Sequence, residues 1–104
     1  MKRKIMNYMG QALELEESDA KELLDMYIET LNEHCSKLEA AVASADFNEI
    51  RRLTHSLTGC SGNVGAEEIV DAVRDVNSGA KIPSAEACSA AMIRLEALRV
   101  KLNE

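Results

Sequence analysis

The stretch Asp46-Phe47-Asn48-Glu49-Ile50-Arg51-Arg52-Leu53-Thr54-His55-Ser56-Leu57-Thr58-Gly59-Cys60-Ser61-Gly62-Asn63-Val64-Gly65-Ala66 decides the fold. Asp46 and Glu49 have the D-x-x-E spacing of a capping box, so a helix starts at Phe47 and is expected to run to about Gly62. Setting Phe47 to zero and advancing about 100° per residue puts Ile50, Leu53, Leu57, Cys60 and Val64 on one side, centred near 265°. A helix with one apolar stripe must bury it against other elements.

Three further segments show the same periodicity. The first runs from about Asp19 to Ser44 (19–44), with Leu24, Tyr27, Leu31, Leu38 and Val42 in its stripe and a second capping-box-like spacing at Asp19 and Glu22. The next runs from about Ala66 to Asn77 (66–77), with Ile69, Val70, Val73 and Val76 inward. The last runs from about Ala85 to Leu102 (85–102), with Cys88, Ala91, Met92, Leu95, Leu98 and Leu102 inward and Ser84 placed to cap it. Gly62–Gly65 and Ser78–Pro83 read as breaks between these segments. A short extra helix near Ile5–Leu13 is compatible with the N-terminal pattern. The expected fold is therefore all-α: an antiparallel four-helix bundle in one domain over 1–104, possibly extended by that N-terminal helix.

Composition agrees and excludes other classes. The 104 residues are 46% hydrophobic and 29% charged, which fits a globular chain rather than a disordered one. Three aromatics leave an aliphatic core, and one Pro with five Gly are too few breakers for a many-stranded sandwich. No apolar run is long enough to span a membrane and no secretory h-region forms, so a cytoplasmic location is expected. The net charge of −6 argues against nucleic acid as a partner. Cys35, Cys60 and Cys88 show neither C-x-x-C nor ligand spacing, so they read as reduced thiols that pack as small apolar residues, and no metal site is expected. A single bundle uses all four stripes on itself, so a monomer is expected.

His55 is the residue that departs from this pattern. It falls at about 80° on the wheel, nearly opposite the stripe, and so points outward. A solvated histidine is the ordinary reading of such a position. Its neighbours argue for more: Gly59 and Gly62 follow on the same face, and each Gly inside a helix costs up to about 1 kcal/mol relative to Ala. Two of them beside an outward His clear a surface for close approach. Arg51 and Arg52, one turn earlier, supply positive charge that an anion at His55 would need. Imidazole titrates near pH 6.5, about neutrality, so much of it is an uncharged nucleophile. No Ser/Asp partner forms a hydrolytic triad with it. A nucleophile without machinery of its own suggests a covalent carrier between proteins.

The run His55-Ser56-Leu57-Thr58-Gly59-Cys60-Ser61-Gly62-Asn63-Val64-Gly65-Ala66 resembles the signature of histidine-containing phosphotransfer (HPt) domains, roughly His-x-Leu-Lys-Gly-Ser-Ser-x-x-hydrophobic-Gly-Ala. Leu38–Arg52 is also similar, and the resemblance extends from about Ser18 to Leu102. It implies a four-helix bundle whose His55 accepts a phosphoryl group, on the outer nitrogen Nε2, from a receiver-domain aspartate and passes it to another receiver. It also implies that Gly59 lets the receiver approach, and that Arg51, Arg52, Ser56, Thr58, Gly59 and Gly62 surround the phosphoryl group and the partner. The partners would be response-regulator receivers, with a hybrid sensor kinase as a further candidate. The chain would need no cofactor, because the receiver would bring the Mg²⁺. It would not be an enzyme, since a bundle this short leaves no room for an ATP-binding domain.

One departure from the family pattern stands out. Thr58 occupies the position of the usual Lys, removing a charge that helps neutralise the phosphoryl group. Arg51, at about 40° on the wheel, is a candidate substitute. Cys60 replaces a usual Ser. Other readings are weaker. Gly59-x-x-Gly62-x-x-Gly65 lacks the ending and the preceding strand of a phosphate-cradling loop. His34 reads as a half-buried packing residue on the flank of its helix. A Zn²⁺ site from His34, Cys35, His55 and Cys60 fails because His55 and Cys60 point to different sides of one helix. The functional alternative is a non-phosphorylated helical adaptor or dimerisation module using the same surface.

Overall fold

The computed structural model describes residues 1–104. It contains five helices: α1 (Lys2–Ala12), α2 (Glu17–Ala43), α3 (Phe47–Asn63), α4 (Glu67–Lys81) and α5 (Ala85–Asn103). Helices α2 to α5 form the expected bundle. Each packs against its chain neighbour, and α5 closes the ring on α2. The connections at 44–46, 64–66 and 82–84 are too short for anything but antiparallel reversal. The N-terminal helix exists and packs on α2.

The four stripes, with Ile5 and Met9 of α1 and Val64 and Ala66 of the α3–α4 turn, form a continuous core of 23 buried apolar residues. Ile50, Leu53 and Leu57 from α3 meet Ile69, Val73 and Val76 from α4, Leu31 and Leu38 from α2, and Leu95 and Leu102 from α5, all essentially inaccessible to water. Burying one such aliphatic side chain contributes roughly 1.5–3 kcal/mol, so the core carries the fold. The inward residues of α4 and α5 are as expected except at their margins, where Val70, Ala91 and Leu98 are only half-buried.

Two of the three proposed caps are real. Asp46 accepts from the Glu49 amide at 3.2 Å, and Ser84 accepts from the Ala87 amide at 3.1 Å. The third is a correction: α2 begins at Glu17, after the extended Glu16, so Asp19 lies inside the first turn and caps nothing. There it still complements the positive end of the helix dipole.

The helix ends also correct the sequence reading. Helix α3 runs through Gly62 and stops only at Asn63, because the residue that turns the chain is Gly65, with φ of +73°. The Ala66 amide donates to the Ser61 carbonyl at 2.9 Å, which is the six-residue closure of a Schellman end. A Cβ on Gly65 would lie 2.4 Å from the Tyr8 ring, so glycine is required there by backbone and packing together. Helix α4 likewise continues to Lys81 rather than ending at Asn77. Gly79 does not break it. A Cβ there would sit 2.8 Å from the Cys88 amide nitrogen, so this glycine lets the start of α5 approach α4. The α2–α3 turn has the same closure as the α3–α4 turn, with the Asp46 amide donating to the Ala41 carbonyl at 2.9 Å. Its left-handed residue is Ala45, with φ of +53°.

Candidate functional site

Helix α3 has three distinct longitudinal zones. Its inner zone is the apolar stripe plus Ser61, whose Oγ lies 2.7 Å from the Tyr27 hydroxyl of α2 in a buried hydrogen bond. Burial pushes the Tyr27 phenol well above its ordinary range. Ser61 and Thr54 are the two buried polar residues of the chain. Thr54 Oγ1 lies 3.0 Å from the Arg51 carbonyl and 3.2 Å from Asn77 Oδ1 on α4, which fixes the register of α3 against α4.

The zone facing α2 holds Ser56 and, across from it, His34. The His34 ring is tied at both nitrogens. Nδ1 lies 2.9 Å from the Thr30 carbonyl, and Nε2 lies 3.1 Å from Ser56 Oγ. A carbonyl only accepts, so Nδ1 donates to it, and in the neutral ring Nε2 accepts from the Ser56 hydroxyl. His34 is half-buried, as expected. Its bond to Ser56 was not readable in the sequence, since it joins residues on different helices. Ser56 is exposed, but its hydroxyl is directed at His34 and so away from His55.

The outer zone is open. His55 is exposed, and its ring has no hydrogen-bond or ion-pair partner within the chain. Arg51, Gly59 and Gly62 are exposed beside it, one or two turns away on the same face. A Cβ built on Gly59 or on Gly62 would touch nothing within 4 Å. Neither glycine is required by the packing of this chain, in contrast to Gly65 and Gly79. Their effect is to leave the helix surface around the imidazole bare to its backbone.

The two arginines separate. Arg52 is joined to Glu49 through two hydrogen bonds, Nε to Oε1 and Nη2 to Oε2, the latter at 3.1 Å. The guanidinium holds the Glu49 carboxyl below its ordinary range, and the carboxylate raises Arg52 in return. Its charge is thus largely answered one turn away from His55. Arg51 has no ion-pair partner and lines a shallow cleft with Asn48, Ala80 and Lys81. Thr58 is half-buried and brings no charge.

The cysteines pair with nothing, and all three are unbridged. Burial pushes the Cys35 thiol up to about 12 and also raises Cys60 and Cys88. They are protonated at neutral pH, in keeping with a packing role rather than thiolate chemistry. Cys60 is half-buried rather than fully in the core. No group of three or more His, Cys, Asp and Glu side chains is gathered as a metal site would require. No helix is long and apolar enough to cross a membrane.

Fold and site together define a four-helix bundle domain with one open imidazole on its flank. A family model, the Hpt domain, matches residues 22–101, from the second turn of α2 to the last turn of α5, and the chain belongs to that family. Membership implies phosphotransfer in two-component relays, interaction with receiver domains, and a phosphocarrier module without kinase activity. No curated protein and no solved structure matches the chain.

Proposed function

We propose that the chain is a phosphohistidine carrier in which His55 takes a phosphoryl group from the aspartyl phosphate of one receiver and gives it to the aspartate of another. The observation that carries this reading is the contrast in engagement. His55 is exposed and unpartnered on a bare helix face, while the other imidazole of the chain is bonded at both nitrogens.

The chemistry follows from that geometry. The neutral ring presents the Nε2 lone pair to solvent. The pair attacks phosphorus, the new N–P bond forms, and the acyl P–O bond breaks with its electrons returning to the aspartate carboxylate. The ring retains its Nδ1 proton as a cation until solvent removes it. Transfer onward runs the same steps in reverse on a second receiver. Gly59 and Gly62 let the receiver's active-site loops come against the α3 backbone, and the fixed helix holds the ring in line. The receiver supplies Mg²⁺ and the acidic pocket, so the carrier's own residues only orient and neutralise. The donor can be a free receiver or one within a hybrid sensor kinase.

The test is incubation with a receiver phosphorylated on its aspartate, with His55→Gln in parallel. Label that appears on the wild-type chain, survives alkali, is lost in acid and is absent from the variant is the expected result. Equal label on both proteins, or none from any of a panel of receivers, gives the chain to the adaptor reading instead. ATP with Mg²⁺ alone is expected to leave it unlabelled.

A further inference from the structure

Helix α5 has two apolar faces. Cys88, Met92, Leu95 and Leu102 are buried in the core. Ala90, Ile93, Ala97 and Val100 lie on the opposite side of the same helix, and all four are exposed. Ile93 keeps 73% of its surface open to water and Val100 keeps 48%. A single exposed isoleucine is ordinary. Apolar residues repeating at steps of three, four and three are the a/d spacing of a coiled-coil seam. The expectation of a monomer counts one stripe per helix, and α5 has a second.

The charges flanking this seam are mostly answered within the chain. Arg94 lies 3.5 Å from Asp75 of α4, and the Glu96 carboxylate accepts from Arg99 at 3.0–3.1 Å. Two charges are not answered. Glu86 in the first turn and Lys101 in the last turn are exposed, and neither is in an ion pair. Each suits the dipole of its own helix, a role that needs no partner.

The seam is complementary to its own reverse. Two copies of α5 set antiparallel, about an axis between Ile93 and Ala97, pack Ile93 on Ala97 and Val100 on Ala90, each pair formed twice. A large side chain then meets a small one at every layer, which is the isologous contact of a two-fold dimer. The same arrangement brings Glu86 of each copy within a turn of Lys101 of the other. A parallel pairing would stack alanine on alanine and set Glu86 against Glu86.

We propose that the outer face of α5 pairs antiparallel with α5 of a second copy of this chain. The dimer goes beyond the carrier reading and does not rest on it. Helices α3 and α5 are diagonal in the ring, since each packs on α2 and α4. Pairing through α5 therefore leaves His55 of both copies open, and one dimer can engage two receivers. The seam is roughly 25 Å long at 1.5 Å per residue, a small interface, so the dimer dissociates on dilution.

The experiment is sedimentation equilibrium of the whole chain from about 10 μM to about 1 mM. The mass is expected to rise from near 11.4 kDa toward twice that value. Ile93→Glu is expected to hold the monomer mass throughout, with helix content and melting unchanged because its side chain lies outside the core. Glu86→Lys and Lys101→Glu are each expected to weaken association about threefold to tenfold, since two exposed pairs turn from attraction to repulsion. The double reversal restores it. A wild-type mass that stays monomeric to the top of the range overturns the proposal and leaves the face to a different protein. A dimer that survives Ile93→Glu places the contact elsewhere and overturns it too. A dimer broken by Ile93→Glu but indifferent to both reversals overturns the antiparallel pairing. Label from a phosphorylated receiver is expected to be the same on wild type and Ile93→Glu, so failure of the carrier reading is read separately.

Discussion

The two histidines are on adjacent helices and lead opposite lives. His34 sits where α2 meets α3 and spends both nitrogens on the fold, one on the Thr30 carbonyl and one on the Ser56 hydroxyl. His55, one residue from Ser56, spends neither. The same division runs along all of α3. On its inner and α2-facing zones nearly every polar atom has a partner, as with Tyr27–Ser61 and Thr54–Asn77. On the outer zone His55 and Arg51 are unanswered and two glycines stand where nothing presses on them. Groups that stabilise a fold are satisfied within it. Groups left open on a rigid element, at some expense in helix propensity, are available to something outside.

That division is testable by crossing it. The largest effect is expected at the open imidazole. His55→Gln abolishes acid-labile label from a phosphorylated receiver, whereas His34→Gln keeps it, since glutamine offers a donor and an acceptor to the same neighbours. If His34→Gln removes the label and His55→Gln retains it, the comparison is inverted. Next comes the answered side. Ser61→Ala leaves the Tyr27 hydroxyl buried without its partner, so unfolding in urea should show a loss of about 1–3 kcal/mol, with transfer per folded molecule unchanged.

Gly59→Ala is expected to act in the other direction. Its methyl meets nothing, so stability should rise by up to about 1 kcal/mol, while transfer from the receiver slows. A rise in stability with no change in rate would mean the bare surface is not used. The smallest effect, none at neutral pH, concerns the thiols. Cys35 is raised from its ordinary value of 9.0 to about 12 in the folded chain. The unfolded chain therefore loses that proton first, and the Cys35 contribution to stability is constant below about pH 9 and falls as pH climbs toward 12. Cys35→Ala should flatten part of that fall in denaturation curves taken across the range.

Much of this was legible in the sequence because it depends on one helix at a time. The stripe of α3, the caps at Asp46 and Ser84 and the outward direction of His55 follow from periodicity and local hydrogen bonding. What was misread depends on neighbours. Gly79 looks like a helix terminator in the one-dimensional pattern, but it is a packing glycine under Cys88, visible only when α5 is in place. Asp19 has the spacing of a cap, but an extended Glu16 starts the helix earlier. The His34–Ser56 bond and the cleft that Arg51 and Lys81 both line require the rotation and register of one helix against another. No wheel drawn for a single segment contains them. The split between Arg51 and Arg52 was hidden for a subtler reason. The i, i+3 partner Glu49 was read as a capping residue, and it proved to be the anion that occupies one of the two arginines.

The N-terminal helix has a bearing on how this domain can be handled. The family match begins inside α2, yet Ile5 and Met9 of α1 are as deeply buried as any side chain in the bundle, and Tyr8 lies across the glycine that turns α3 into α4. A fragment trimmed to the matched boundaries would lose a cork as well as a tail: it would bare a greasy hollow and unclamp the corner at the C-terminal end of the histidine helix.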